Sequence, residues 1–163
     1  MSNEVTTVSG VGLAVAADTD SDEFVTMTIA DQLFGIPVLT VQDVLGPQKI
    51  TRVPLAPDEV AGVLNLRGKI VTAIDVRKAL GVPAGNGESM SVVVEHEDEA
   101  YSLLIDKVGE VLKLPRDRYE KNPATLDPRW RNISNGIYRL DGDLLVVLDV
   151  AKLLDFGKAK SAA

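Results

Sequence analysis

The chain contains no cysteine and one histidine among its 163 residues. Without cysteine it can form neither disulfide bonds, nor thiolate zinc sites, nor a thiol nucleophile. The histidine, His96, lies in the acidic run EHEDE, which is typical of a solvated surface. Its carboxylate neighbours Glu95, Glu97 and Asp98 would alternate between the two faces of a strand, so they would not converge on a metal ion. Neither the phosphate-binding P-loop motif nor the Rossmann glycine fingerprint is present. We therefore expect no enzyme activity, no catalytic residue, no cofactor and no metal.

Basic charge is also scarce, with 17 Lys and Arg against 24 Asp and Glu and a net charge of −7. Such a chain repels phosphate backbones and anionic lipid, so nucleic acid and membrane surfaces are poor candidates for partners. Residues 113–131 are locally basic. We interpret them as a solvated connection, with nucleic-acid binding as a minor alternative.

Both ends of the chain have the composition of tails. Residues 1–22 lack an N-terminal cluster of positive charge, and their apolar run is short and broken by glycine, unlike a signal peptide or a transmembrane helix. Ser, Thr, Gly and Asp dominate there, which predicts a disordered N-terminal tail. We expect a single domain over residues 23–156 and a flexible C-terminal tail over 157–163.

Apolar residues between these tails recur in short alternating or β-branched runs bounded by Gly, Pro, Asn and Asp, a pattern typical of strands. The runs lie at residues 24–30, 34–45, 69–76, 90–96, 101–112 and 143–150. Polar breaks at residues 30–35 and 96–101 predict hairpins. Helical spacing is confined to residues 57–64, 75–81 and 149–157. The predicted fold class is therefore mainly β with short helices.

The sequence also repeats itself. Residues 34–45 align with 101–112, and residues 62–80 align with 136–154. Two stretches that recur in the same order predict two homologous subdomains. Closing each into a small barrel of about five strands would remove exposed sheet edges. Each is too small to hold a large core alone, so we expect an apolar seam shared between them.

The repeat isolates one residue, Arg67. Both copies carry Leu-X-Gly between apolar runs, which predicts a two-residue hairpin turn with Gly68 or Gly142 at positive φ. The middle residue is Arg67 in one copy and Asp141 in the other, and arginine is not a preferred turn former. Arg67 is therefore either a solvated or ion-paired charge, for which Asp43 is a natural partner, or a protruding anchor at a protein interface. Both can hold together.

Another repeated pair, Asp75 and Asp149, would suit acid–base chemistry if the two carboxylates met. Each instead precedes a short helical stretch, where an aspartate accepts hydrogen bonds from free backbone N–H groups. We interpret both as helix N-caps. Trp130, in DPRWRN, is interpreted as a partly buried anchor for a long connection.

Two segments, EFVTMTIADQLFGIPVLTVQDVL and TRVPLAPDEVAGVLNLRGKIVTAIDVRKALG, closely resemble the first half of the CheW family of chemotaxis coupling proteins. The run Asn65-Leu66-Arg67-Gly68 with the preceding Gly62 is the most specific element. The segments SVVVEHEDEAYSLLIDKVGEVLKL and NGIYRLDGDLLVVLDVAKLL resemble the second half with weaker motifs. The resemblance extends from residue 23 to about residue 156 and implies two five-stranded SH3-like β-barrel subdomains.

The resemblance also implies a function: a non-enzymatic adaptor in the bacterial cytoplasm, recruited to membrane-associated receptor arrays. It would couple the cytoplasmic tips of methyl-accepting chemoreceptors to the regulatory domain of a CheA-type histidine kinase. The family's receptor-facing groove corresponds to Val41, Asp43, Gly62, Leu66 and Arg67, with Asp43 where the family usually has glutamate.

The kinase-facing candidates implied by the resemblance are Met90, Val92, Ser102 and Val108, for which an ordinary core position is the alternative. Two other functions remain open at this point. One is a coupling protein for a chemosensory pathway with a non-motility output. The other is a small-barrel enzyme or ligand-binding protein, which would require a polar pocket with convergent titratable groups.

Overall fold

The computed structural model describes residues 20–85 and 87–155. Its strands are β1 (Ser21–Ile29), β2 (Gln32–Pro37), β3 (Val41–Leu45), β4 (Val60–Leu66), β5 (Lys69–Asp75), β6 (Met90–His96), β7 (Glu99–Ile105), β8 (Lys107–Pro115), β9 (Tyr119–Glu120), β10 (Ser134–Leu140) and β11 (Asp143–Leu148). Its helices are α1 (Val76–Leu80), α2 (Pro128–Arg131) and α3 (Val150–Leu153), with 3₁₀ turns at Val38–Thr40 and Arg116–Arg118. The predicted tails lie mostly outside the described residues, and β1 begins at Ser21, two residues before the predicted domain boundary.

The strands form two sheets with the same internal order. Sheet I runs β9-β10-β11-β2-β1-β8, and sheet II runs β4-β5-β7-β6-β3. In each, a hairpin (β1–β2 or β6–β7) pairs in parallel with the second strand of another hairpin, β11 in sheet I and β5 in sheet II. The mainly β class and the presence of two homologous β units, predicted from the internal repeat, are confirmed.

The two units exchange strands. After the β1–β2 hairpin of sheet I, the chain passes through Val38–Thr40 and adds β3 to sheet II, beside β6. After the β6–β7 hairpin of sheet II, it passes Asp106 and adds β8 to sheet I, beside β1. The segments at residues 34–45 and 101–112, each predicted as one strand, are therefore each two strands on different sheets. Pro37 accounts for the first break, since proline cannot donate to a ladder.

The sheets are not closed barrels. Among the described residues, no ladder joins the two end strands of either sheet, and sheet I has six strands where about five were expected. In sheet II the outer edge of β4 pairs instead with the connection before it, through Thr51 and Val63, whose two backbone hydrogen bonds are both 2.8 Å.

The helix predicted at residues 57–64 is wrong. Most of this segment forms β4, which pairs with β5 along its length.

A shared core lies between the sheets, as the expected seam requires. It is filled from both units, by Met27, Phe34, Ile36, Ile74, Val92, Leu103, Ile105, Ile137, Val146 and Leu148 among others. Each such side chain contributes roughly 1.5–3 kcal/mol by leaving water, so the seam dominates the packing of one unit on the other. A smaller cluster, Phe24, Tyr138, Leu145 and Val147, fills the opposite face of sheet I. Leu64, Val71 and Ala73 fill that of sheet II.

An ion pair ties the units together at the second crossing point. The Arg77 guanidinium, on α1, donates to both carboxylate oxygens of Asp106, from Nε at 2.7 Å and from Nη2 at 2.5 Å. The backbone N–H of Ala30, in the β1–β2 turn, donates to Asp106 Oδ2 at 2.9 Å. The hydrogen bond from Arg77 lowers the pKa of Asp106, with the bond from Ala30 acting in the same direction against the effect of burial. Asp106 therefore links α1 of one unit to the hairpin of the other.

Trp130 provides a second link between the units, and it is partly buried, as the sequence predicted. Its Nε1 donates to the Leu80 carbonyl oxygen at 3.1 Å, and its ring meets Phe34 edge-on at a centroid distance of 5.4 Å. Tryptophan is suited to this position because it buries a large apolar surface while its N–H satisfies a carbonyl at the end of α1. None of the helices within residues 20–85 and 87–155 is long and apolar enough to cross a bilayer.

Candidate functional site

Arg67 occupies the tight turn between β4 and β5. Leu66 pairs with Lys69, so Arg67 and Gly68 form a two-residue loop. Both have positive φ, 53° and 86°, which matches the twist of a hairpin. The backbone N–H of Gly68 donates to the side-chain Oδ1 of Asn65 at 2.9 Å, which closes the turn from the strand side.

Arg67 reaches across the open edge of sheet II. Its Nη2 donates to Asp43 Oδ2 at 2.8 Å, and Asp43 Oδ1 accepts from the backbone N–H of Val44 at 2.9 Å. Since Asp43 lies on β3 and Arg67 follows β4, the ion pair spans the two end strands that no ladder joins. The side chain of Arg67 is nevertheless 75% exposed, against 25% for Asp43. The ion pair with Asp43, one of the two interpretations from the sequence, is confirmed, and the side chain also protrudes from the surface.

The other copy of the turn shows what the fold alone requires. Leu140 pairs with Asp143, and Gly142 has a φ of 80°, but Asp141 does not take a positive φ. The sequence argument had favoured aspartate as the better turn former, yet it is the arginine that adopts the left-handed conformation. For a residue other than glycine this costs about 1–2 kcal/mol. The same left-handed conformation is found in the two other tight hairpin turns, at Ala30–Asp31 and Glu97–Asp98.

A cleft of about 570 Å³ opens beside Arg67. Its apolar lining includes Leu66, Val71 and Val93, and Ile70 stands at its edge with 69% of its surface exposed. Its charged lining is mixed in sign, since Arg67 and Lys69 are basic and Glu95, Asp98 and Glu99 are acidic. An apolar floor with charges around it suits a partner that presents an apolar stripe beside polar groups.

The other two predicted groove residues support the site from behind. Val41 is half-buried and packs against the shared core. Gly62 is buried, with φ 150°, and a Cβ there would overlap the carbonyl oxygen of Thr51 and lie 2.8 Å from Cγ2 of Ile50. Glycine is needed at this position because the connection before β4 runs directly against it. Of the five predicted residues, the structure thus brings Asp43, Leu66 and Arg67 together at the surface.

The four kinase-facing candidates do not form one surface. Val92 and Ser102 have no exposed surface. Val92 belongs to the shared core, whereas Ser102 pairs with Val93, the next residue along β6, and so faces the other side of sheet II. Met90 and Val108 are half-buried and pack against the shared core. For Val92 and Ser102 the core alternative stated for the sequence describes what is seen.

Two exposed leucines were missed by the sequence reasoning. Leu39 lies in the 3₁₀ turn at Val38–Thr40 and is 96% exposed, beside a cleft that includes Phe24 and Arg116. Pro37 was the signal that could have revealed it, because a proline inside an apparent strand marks a break. Leu55, 105% exposed with φ 65°, stands between Pro54 and Pro57 in the connection before β4.

Catalytic and metal-binding arrangements are not found in the described part of the chain. Asp75 and Asp149 cap α1 and α3, accepting from the backbone N–H groups of Lys78 at 3.2 Å and Lys152 at 3.1 Å, as predicted. His96 Nε2 lies 3.9 Å from a carboxylate oxygen of Glu97. No group of three His, Cys, Asp or Glu side chains within residues 20–85 and 87–155 could hold a metal ion.

Comparison with known proteins shows that most of the chain is similar in sequence to one family. Residues 23–157 match the family model described as the CheW-like domain. The chain is 31% identical over 134 residues to "Chemotaxis protein CheW" of Helicobacter pylori, covering 81% of each chain. It is 26% identical over 117 residues to "Protein PilI" of Pseudomonas aeruginosa, covering 71% of this chain and 66% of the relative.

A solved structure shows the same fold. The crystal structure of the scaffolding protein TtCheW from Thermoanaerobacter tengcongensis superposes with a TM-score of 0.71 at 27% identity. The superposition covers 78% of this chain and 88% of that one.

Proposed function

Since the chain belongs to the CheW-like family, with chemotaxis coupling as its function, we propose that it joins the cytoplasmic tips of chemoreceptors to the regulatory domain of a CheA-type histidine kinase. In this proposal it performs no chemistry of its own, takes no cofactor, and acts in the cytoplasm at membrane-associated arrays. It binds neither nucleic acid nor the bilayer directly. Residues 23–156 act as one domain.

The receptor-binding surface in this proposal is centred on Arg67, with Asp43 and Leu66 beside it. The observation that carries the proposal is that the Arg67 guanidinium is held by an ion pair through Nη2 while the side chain is still 75% exposed. A guanidinium has five N–H donors, so one bound to Asp43 retains donors for an acceptor on a partner. Ion pairing restricts the side chain before binding, which lowers the entropy lost on association.

A receptor tip is a helical hairpin, and its apolar stripe would lie against Leu66 and the apolar lining of the neighbouring cleft. Leu39 extends the exposed apolar surface near the first crossing point. Val41 and Gly62 take part indirectly, by supporting β3 and β4. For the kinase, the proposed contact retains Met90 and Val108, whose side chains are partly exposed.

The test is an NMR titration of the ¹⁵N-labelled protein with a receptor-tip fragment and, separately, with the kinase regulatory domain. Arg67→Ala is expected to weaken receptor binding about 5- to 150-fold, the range of 1–3 kcal/mol for an interface anchor, and to leave kinase binding unchanged. Asp141→Ala, in the matching turn of the other repeat, is the control and is expected to bind both partners as the wild type does. Failure of the wild type to bind either partner would overturn the adaptor function itself.

A second candidate is coupling within a chemosensory pathway whose output is not swimming, favoured by the similarity to Protein PilI. The two differ in the receptors and kinase that the protein recruits. Expression of the protein in a motile bacterium that lacks its own adaptor separates them. Restored spreading in soft agar supports the motility pathway, and binding to the tip fragment without restored spreading supports the second candidate.

A further inference from the structure

The conformation of Arg67 raises the question of what holds an arginine at a φ of 53°. The neighbouring Gly68 takes its positive φ at little cost, but Arg67 does not. Asn65 forms a side-chain hydrogen bond within this turn. Its Oδ1 accepts from the Gly68 N–H at 2.9 Å. This bond spans the turn and fixes its last residue relative to β4.

Asparagine is an unfavourable residue for the strand position that Asn65 occupies. It is exposed on β4, where it pairs with Ile70, and asparagine is among the residues that strands disfavour. A short side chain that hydrogen-bonds nearby backbone groups is instead a turn-stabilising feature. The turn, rather than the sheet, explains its presence.

The second repeat provides an internal comparison. Arg139 occupies the position equivalent to Asn65, and a guanidinium cannot accept a hydrogen bond from a backbone N–H. Its Nε donates to the Glu120 carboxylate at 3.1 Å instead. In that turn, the residue equivalent to Arg67, Asp141, does not adopt positive φ. The turns after β1 and β6 also place both residues at positive φ, Ala30–Asp31 and Glu97–Asp98, so the left-handed pair does not itself require the asparagine. Asn65 differs from Arg139 in accepting the Gly68 N–H, which ties the end of the Arg67 turn to β4.

We propose that Asn65 is a positioning residue for partner binding. By accepting from Gly68 it ties the end of the turn to β4, and this fixes the turn in the orientation in which the Arg67 guanidinium reaches Asp43 with its remaining donors exposed. Asn65 therefore acts through Arg67. The part of this proposal that concerns binding rests on the proposed receptor surface, whereas the part that concerns Arg67 is independent of any partner.

The partner-free test compares Asn65→Ala, Asn65→Asp and the control Arg139→Ala by ¹⁵N NMR of the full chain. In Asn65→Ala, the Gly68 amide is expected to exchange with solvent about 2- to 12-fold faster, from the loss of a hydrogen bond of roughly 0.5–1.5 kcal/mol. The side-chain Nε and Nη signals of Arg67 are expected to show a loosened guanidinium. Asn65→Asp, which retains the acceptor, and Arg139→Ala should leave the Arg67 signals as in the wild type. An Arg67 guanidinium unaffected by Asn65→Ala would overturn the proposal.

The binding test is a double-mutant cycle with the receptor-tip fragment. Asn65→Ala alone is expected to weaken binding about 3- to 10-fold, less than Arg67→Ala, while Asn65→Ala/Arg67→Ala should bind no more weakly than Arg67→Ala. Additive effects would show that Asn65 acts independently of Arg67 and would refute the positioning role. If the wild type does not bind the fragment, the receptor surface fails, and the NMR comparison still decides whether Asn65 holds Arg67.

Discussion

Gly62 provides the sharpest test of how the site is built, because the structure gives it a supporting role rather than a contact. In Gly62→Ala the new Cβ would overlap the Thr51 carbonyl oxygen, which is backbone and cannot move aside like the end of a flexible side chain. The connection before β4 must therefore shift. The change also places a Cβ on a residue with φ 150°.

The magnitude follows from two sources. Displacing Thr51 breaks the two hydrogen bonds that it shares with Val63, each worth about 1 kcal/mol. The unfavourable φ adds about 1–3 kcal/mol. We therefore expect Gly62→Ala to lower the free energy of unfolding by about 3–5 kcal/mol.

Urea denaturation followed by far-UV circular dichroism measures this change, and two other glycines calibrate it. Gly46→Ala places its Cβ in open space without a positive φ and is expected to be neutral within about 0.5 kcal/mol. Gly68→Ala also meets nothing within 4 Å but has φ 86°, so it isolates the backbone cost of about 1 kcal/mol. A Gly62→Ala protein as stable as Gly46→Ala would refute the reasoning. Loss of receptor binding in Gly62→Ala should be accompanied by shifts at residues 50–55 before any partner is added.

Two further changes test the link between the units and the polar groups within the sheets. Asp106→Asn is expected to lower the free energy of unfolding at pH 7 by about 1–2 kcal/mol, discounted for partial exposure. Because Arg77 lowers the pKa of Asp106, this contribution is present above the unfolded pKa of about 3.9 and is lost as the pH falls through the folded value. Urea titrations of both proteins from pH 7 to pH 2.5 should converge at the acid end, and a difference that does not depend on pH would contradict the ion pair. Ser102→Ala is expected to raise the free energy of unfolding by about 1 kcal/mol, since its hydroxyl is buried with no hydrogen-bond partner in the described structure. Thermal and urea unfolding should show the opposite sign for the control Ser134→Ala, whose hydroxyl donates to Asn122 at 2.9 Å, and a destabilised Ser102→Ala would count against the argument.

Much of the fold could be predicted from the sequence because strand alternation and turn chemistry are local. The strand at Met90–His96 lies at the predicted residues, and the hairpins at residues 30–35 and 96–101 are both present. The exchange of strands could not be predicted, because alternation continues unchanged when a chain leaves one sheet and enters another. Residues 57–64 misled because their apolar spacing also fits a helix, and only the pairing of Val63 with Thr72 decides for a strand.

The candidate site was predictable to a similar degree. Comparison of the two repeats showed that the turn does not explain an arginine and left Asp43 as its natural partner, and the structure shows this ion pair. The sequence could not decide between core and surface for Val92 and Ser102, because sheet II is covered on both faces and alternation then no longer separates buried from exposed positions. Leu39 was hidden inside a segment that was interpreted as continuous strand.

The exchanged strands have a mechanical consequence. Asp43 lies on β3, which is hydrogen-bonded into sheet II but is covalently continuous with the β1–β2 hairpin of sheet I. A partner that pulls on the Arg67–Asp43 pair therefore loads both units, one through the ladder with β6 and the other through the peptide chain. Deleting either repeat would leave each surviving sheet incomplete, so neither half is a spare copy of the other. The main chain therefore connects the Asp43 side of sheet II directly to the β1–β2 hairpin of sheet I.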